Sequence, residues 1–260
     1  MNLRVTKCSS FERLHMARSI SKKTVTRATS RDTAKPQRRI RIDDLASLTP
    51  LTQKQRETVS SYHKDKNLLL HGIAGTGKTY LAMSLAFEEV LDPSSDYQAV
   101  VIVRSTVSTR DMGFLKGDDK EKIAVYEAPY QSLCGELFNI PDAYDCLKTQ
   151  GAVQFISTAF IRGLTLNDCI VIVDEVQNLS FHELDSIITR LGKSSKIIFC
   201  GDYTQSDFSK TNERNGCLDF MKILKEMNHF DFIEFAIEDI VRGPLVKEYI
   251  IAKYKLGLHI

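Results

Sequence analysis

The sequence contains no Cys-x-x-Cys pair. Its six cysteines, Cys8, Cys134, Cys146, Cys169, Cys200 and Cys217, are scattered along 260 residues. That spacing argues against a zinc ribbon or a disulfide framework and favours reduced, mostly structural thiols. No apolar run approaches the roughly 18 residues of a membrane helix, and no uninterrupted apolar core marks a secretory signal. The expectation is a cytoplasmic protein with no membrane partner. An overall charge of one sign is missing as well, since the formal net charge is only +2.

That balance hides two unlike parts. Residues 1–42 carry 12 Lys/Arg against Glu12 and Asp32, a net of +10, and the remaining 23 basic and 31 acidic residues leave the body at −8. The arm is rich in Ser, Thr, Arg and Lys with few apolar residues, a composition of chains that are disordered when free. Three readings stay open: an arm that binds nucleic acid, a solvated tail, or an Arg- and Ser-rich targeting peptide. The composition changes at Asp43, which gives a plan of an arm over 1–43 and one α/β domain over 44–260.

The domain is organised around Gly72-Ile73-Ala74-Gly75-Thr76-Gly77-Lys78-Thr79, which satisfies G-x-x-x-x-G-K-[ST]. Leu68-Leu69-Leu70 before it reads as a buried strand, and Tyr80 to Phe87 after it as a helix. Glycines let successive backbone N–H groups face an oligophosphate, and the helix adds the positive end of its dipole. Residues 72–80 are therefore the expected phosphate-binding stretch. Lys78 has the charge to neutralise β and γ oxygens, and the Thr79 hydroxyl suits Mg²⁺.

Upstream, the spacing predicts a helix from about Thr52 to His63. Gln55 on it has an amide able to donate to and accept from an adenine edge at once, unless it simply belongs to a polar helix face. Downstream, Ala99 to Val103 reads as a buried strand ending in Arg104. A long, less regular region follows, in which Phe114 and Lys116 are suited either to stacking on a nucleic-acid strand or to plugging the loop.

Cys169-Ile170-Val171-Ile172-Val173 is another buried strand, and it delivers Asp174 and Glu175 at its C-terminal end. Asp174 has the chemistry to hold a Mg²⁺ shell, and Glu175 to orient and deprotonate a water. Ser180 and Glu183 have capping-box spacing, so a helix is expected to Leu191, ended by Gly192. The strand Lys196 to Cys200 then leads to Gly201, Asp202 and Gln205. Asp174 and Asp202 are about one βαβ unit apart, which makes their strands parallel and brings both motifs to one sheet edge. There Gln205 is expected to sense a γ-phosphate, or to cap its loop. A strand near Phe232, then Val241-Arg242 and a helix behind Pro244, complete the pattern.

Taken together, Gly72 to Thr79, Gly113-Phe114-Leu115, Arg162-Gly163 with Thr165 to Asp168, Val173 to Asn178, Gly201-Asp202 with Gln205, and Val241-Arg242 with Pro244 to Val246 resemble the PhoH-like family of phosphate-starvation-inducible P-loop ATPases, especially its phage members. The motifs run in order over about residues 44–250. Two positions depart from the family pattern: Lys116 stands where a proline is typical, and Leu164 where bacterial members typically have arginine.

The resemblance implies a RecA-like P-loop core related to superfamily 1 helicases, ATP and Mg²⁺ as ligands, hydrolysis, and RNA as the class of partner. Lys78, Thr79, Asp174 and Glu175 carry over directly, Gln205 less so, and Arg162 and Arg242 as candidates. Only 58 residues follow Asp202, too few for a second RecA-like domain at the usual domain size. A complementary arginine is thus expected from another subunit of a ring, a hexamer by resemblance, with Arg242 first and Arg162 second. The alternatives are an RNA-binding switch with little turnover and a P-loop nucleoside kinase.

Overall fold

The computed structural model of the protein describes residues 38–106, 119–202 and 211–256. Phe114, Lys116, Gln205 and residues 1–37 of the basic arm lie outside them. Six strands build one sheet: β1 (Asn67–Gly72), β2 (Ala99–Arg104), β3 (Val153–Ser157), β4 (Cys169–Val173), β5 (Ser195–Gly201) and β6 (Phe230–Phe235). Their order is β3-β2-β4-β5-β1-β6, and every neighbouring pair is parallel. The α/β class and parallel sheet expected from the sequence are observed.

The central strands are apolar runs because both of their faces are covered. Alternate residues serve opposite layers. Leu68, Leu70, Val100, Ile102, Ile170, Ile172 and Ile198 pack under α2 (Lys78–Val90), α3 (Asp119–Phe138) and α4 (Ala143–Gln150). Leu69, Val101, Val103, Val171, Val173, Ile197 and Phe199 pack under α5 (Phe181–Ile188) and α6 (Thr211–Lys225). Phe199 meets Phe220 edge to face at 5.4 Å, and truncating so buried a ring to alanine costs about 3 to 5 kcal/mol.

This layering positions the site. The connection leaving β1 runs through α2 on one face, whereas that leaving its neighbour β5 runs through α6 on the other. Their divergence opens a crevice at the carboxyl ends of the strands, where open α/β sheets take their ligands.

Helix α1 (Gln53–Tyr62) is capped by Thr52, whose side chain accepts from the Gln55 N–H. Helix α5 has the expected box, with Ser180 accepting from the Glu183 N–H and Glu183 accepting from the Ser180 N–H. It stops at Ile188, short of the predicted Leu191. Gly192 is used differently: its N–H donates to the Leu166 carbonyl at 2.7 Å, and a β-carbon there would fall 2.0 Å from Asn167 Oδ1.

Two further differences matter. Ile40, read from the sequence as arm, is buried in the core, and its N–H and carbonyl both bond to the Gln150 amide. The region after Arg104, expected to be irregular, includes helices α3 and α4. Pro129 inside α3 masks it in the sequence, yet buried Tyr130, Cys134, Leu137 and Phe138 recur at helical spacing. The last helix, α7 (Pro244–Lys255), opens with proline at its first turn and has no buried residue. Among the described residues, no helix is long and apolar enough to cross a membrane.

Candidate functional site

The phosphate loop begins where β1 ends. Gly72 has φ +117°, and a β-carbon there would lie 2.1 Å from the Phe235 carbonyl oxygen of β6, so only glycine fits. The Ile73 N–H donates to that carbonyl at 3.1 Å. Gly77 has φ +84° as the N-cap residue of α2. Inside the loop the Thr76 hydroxyl donates to the Ile73 carbonyl at 3.0 Å. The Lys78 ammonium donates to the Gly72 carbonyl at 2.7 Å and the Ile73 carbonyl at 2.8 Å. Burial pushes the pKa of Lys78 down, opposed chiefly by the charge of Asp202.

Across the crevice, Asp174 stands at the end of β4. Its Oδ1 accepts from the Thr79 hydroxyl and its Oδ2 from the Tyr130 hydroxyl, both at 2.9 Å. Burial, with the charge of Glu175 next to it, raises the carboxyl's pKa against those two donors. Glu175 sits at φ +53°, a left-handed conformation that a non-glycine residue adopts at a cost. Its carboxylate accepts from the Gln177 amide. The oxygen of the same amide accepts from the Asp202 N–H at 3.0 Å, which ties Glu175 to the end of β5.

These groups border a cleft of about 610 Å³, within the range of about 300 to 1,000 Å³ for small-molecule sites. Of the sequence-predicted residues, Ala74, Gly75, Gly77, Lys78, Thr79, Tyr80, Asp174, Glu175 and Arg242 line it. Gly72 and Ile73 lie behind the lining and offer their carbonyls to Lys78, while Thr76 is fully buried.

Gln55 is a departure. Both ends of its amide are engaged within the chain: Nε2 donates to the Thr76 carbonyl at 3.0 Å and Oε1 accepts from the Leu51 N–H at 2.7 Å. It braces the phosphate loop and is absent from the cleft lining, where an adenine reader was expected. Arg242 is a second. Its side chain lies against Gly75 of its own chain, and the Val241 N–H donates to the Gly75 carbonyl at 3.1 Å. The sequence reading assigned this arginine to a neighbouring subunit's site, but the structure puts it in the cleft of its own chain. Arg162 is exposed in the turn after edge strand β3 and does not line the cleft.

Arg104, Gln177 and Tyr130 are among the lining residues to which the sequence assigned no role. Arg104 ends β2, and its place beside Asp174 follows from the register in which Val103 pairs with Val173. A polar residue at the carboxyl end of an apolar strand was the available signal. Gln177 was visible only as a family motif position. Tyr130 had no local signal, because it reaches the site through a helix that the sequence reading did not find.

Residues 47–255 match the family described as PhoH-like protein. The PhoH-like protein of Mycobacterium leprae (strain TN) is 33% identical over 207 residues, 78% of this chain and 58% of that protein. The PhoH-like protein of Bacillus subtilis (strain 168) is 33% identical over 205 residues, 78% of this chain and 63% of that one. Protein PhoH of Escherichia coli (strain K12) is 28% identical over 204 residues, 78% and 57% of the two chains. The chain thus spans about three-fifths of the length of these curated relatives. Among solved structures, the Pyrococcus furiosus Hef helicase domain has a TM-score of 0.44 at 14% identity, covering 74% of this chain and 41% of that one. A large terminase from a thermophilic bacteriophage has a TM-score of 0.46 at 14% identity, covering 77% and 50%.

Proposed function

Because the chain belongs to the PhoH-like family, we propose that its cleft binds ATP with Mg²⁺ and hydrolyses the γ-phosphate, coupled to the binding or remodelling of single-stranded nucleic acid, RNA foremost. The observation that carries this reading is the 2.9 Å contact between the Thr79 hydroxyl and Asp174 Oδ1, with Glu175 next in sequence. A hydroxyl and a carboxylate oxygen side by side fit Mg²⁺, which takes one or two protein oxygens together with phosphate oxygens and water. When bound there, the ion would neutralise charge on the β and γ oxygens.

The chain's own groups supply the rest. Lys78 exchanges its bonds to the Gly72 and Ile73 carbonyls for phosphate oxygens, trading neutral acceptors for charged ones. Glu175 accepts a proton from a water whose oxygen bonds to the γ-phosphorus as the bond from that phosphorus to the ADP oxygen breaks. Gln177 holds that carboxylate in reach of the cleft. The basic arm supplies a sequence-independent hold on a polyanion, and a ring of subunits would give exposed Arg162 a neighbouring site to reach.

Phosphate release from ATP, with and without a panel of RNAs and DNAs, tests the proposal. Glu175→Gln should keep nucleotide affinity and lose turnover, and hydrolysis by that variant at the parent rate would reject the base. Label appearing on an acceptor, with no free phosphate, would favour a kinase. Deleting residues 1–36, which spares the buried Ile40, should flatten the salt dependence of RNA binding, by a log–log slope of about 4 for six phosphate contacts. An unchanged slope would leave the arm as a tail or targeting segment. Sedimentation of the intact chain tests the ring.

A further inference from the structure

Two cations flank the Asp174–Glu175 pair from opposite sides of the sheet. The strand order places β2, with Arg104 at its end, on one side of β4, and β1, which leads to Lys78, on the other side beyond β5. The Asp174 N–H donates to the Val103 carbonyl at 3.0 Å, so the carboxyl ends of β2 and β4 are held level and Arg104 starts beside the two carboxylates.

The hydrogen bonds there have a direction. Tyr130 spends its single hydroxyl proton on Asp174 Oδ2, so its oxygen is left as an acceptor, and Arg104, which lines the same cleft, is the cation that acts on it. Asp174 is thereby held by Tyr130 on one carboxylate oxygen and by Thr79 on the other. Tyr130 is itself immobilised: it is fully buried, with Phe155 at 5.9 Å between ring centroids. The Arg104 guanidinium carries several N–H donors on a half-buried side chain that lines the cleft.

We propose that Arg104 is a catalytic residue acting within its own chain, contacting the γ-phosphate opposite Lys78, and that Tyr130 is the positioning residue that aims it. The proposal rests on the reading of the cleft as an ATP site. A phosphoryl group between Lys78 and Arg104 is clamped from two sides, with Glu175 beside the arginine to orient the attacking water. The fork geometry of arginine suits phosphate oxygens as a lysine does not. An arginine supplied in this way removes the need for a neighbouring subunit to complete the site.

The test uses the full chain. In a Glu175→Gln background, which prevents turnover, adding Arg104→Gln should weaken ATP binding about tenfold or more, the usual worth of a charged hydrogen bond, and leave ADP binding within about twofold. With Glu175 intact, Arg104→Gln should lower kcat by about 10² or more, and Arg104→Lys should recover little of it. Tyr130→Phe keeps the packing and should lower kcat by about tenfold with little change in KM. Mixed oligomers of Glu175→Gln and Arg104→Gln chains should regain no activity, because both lesions fall in the same cleft.

Equal weakening of ATP and ADP together with a lowered Tm would make Arg104 a structural ion partner and overturn the proposal. Full rescue by Arg104→Lys would do the same, and recovery on mixing would put the arginine in a neighbour's site. If the unaltered chain bound neither nucleotide, the reading of the cleft would fail first, and the assignment of Arg104 with it.

Discussion

The protein sets two lysines at opposite ends of neighbouring strands, Lys196 buried and Lys78 half-buried, and their partners are unlike. Lys196, near the start of β5, bonds to Asp65 at 3.2 Å and Glu89 at 3.6 Å and lies 4.2 Å from the Tyr62 ring centroid. Glu89 is held in turn by the Tyr62 hydroxyl. Lys78, at the other end, donates to two backbone carbonyls, and the carboxylates act on it only as fields. A buried cation with opposite charges in contact is a structural tie. A half-buried cation held by neutral acceptors gains when an anion arrives, and that is a property of a binding site.

Exchanging the roles of the two lysines is the sharpest way to break this contrast. Lys78→Ala should reduce ATP turnover by at least about 10² while urea midpoints stay close to the parent. Lys196→Met should do the reverse. Turnover per folded molecule should hold, and stability measured by urea unfolding should fall by about 1 kcal/mol, because the part-exposed Glu89 and exposed Asp65 lose their cation. A variant at either position that loses both properties would dissolve the distinction.

A smaller effect is expected at Asp174, whose pKa burial raises. The ionised carboxylate is then favoured in the unfolded chain, so above the raised folded pKa the group lowers stability, and the penalty disappears as pH falls through that value. Asp174→Asn should therefore melt higher than the parent at pH 7, by about 2 to 4 °C for each kcal/mol relieved, and bind Mg²⁺·ATP poorly. The two melting curves should converge in acid. A lower Tm for Asn at pH 7 would mean that its bonds to Thr79 and Tyr130 outweigh desolvation. The smallest change is expected from Gln55→Ala, which removes a brace from the Thr76 carbonyl. ATP and GTP affinities should both fall by a few-fold and in proportion, whereas selective loss of ATP would restore the adenine reading.

How much was legible follows from how local each signal is. The phosphate loop, the Asp174–Glu175 strand and the α5 cap are written in consecutive residues, because each is set by backbone conformation within a turn or a strand. Tyr130 and Arg104 are not. Tyr130 lies 44 residues from Asp174 in the chain and reaches it through α3, whose register is decided by packing under the sheet. Arg242 was expected in trans because a count of remaining residues speaks of domains, whereas one hydrogen bond from Val241 to Gly75 is enough to put it in the cleft. Gln55 differs for a related reason: its amide can both donate and accept, and in this structure Thr76 and Leu51 take up both ends.

That bond from Val241, together with the seat of Gly72 against Phe235, bears on the order in which the molecule comes into being. Strand β1 pairs with β6 across more than 160 positions, from Asn67 to Phe230, a distant closure of the kind that forms slowly. On the ribosome, a nascent chain with every residue of the phosphate loop already outside the exit tunnel has no Phe235 carbonyl to shape the turn at Gly72 and no Val241 to hold Gly75. Stalled chains of increasing length should capture immobilised ATP in one step, only after residues 230–242 have emerged, however long the motif itself has been exposed.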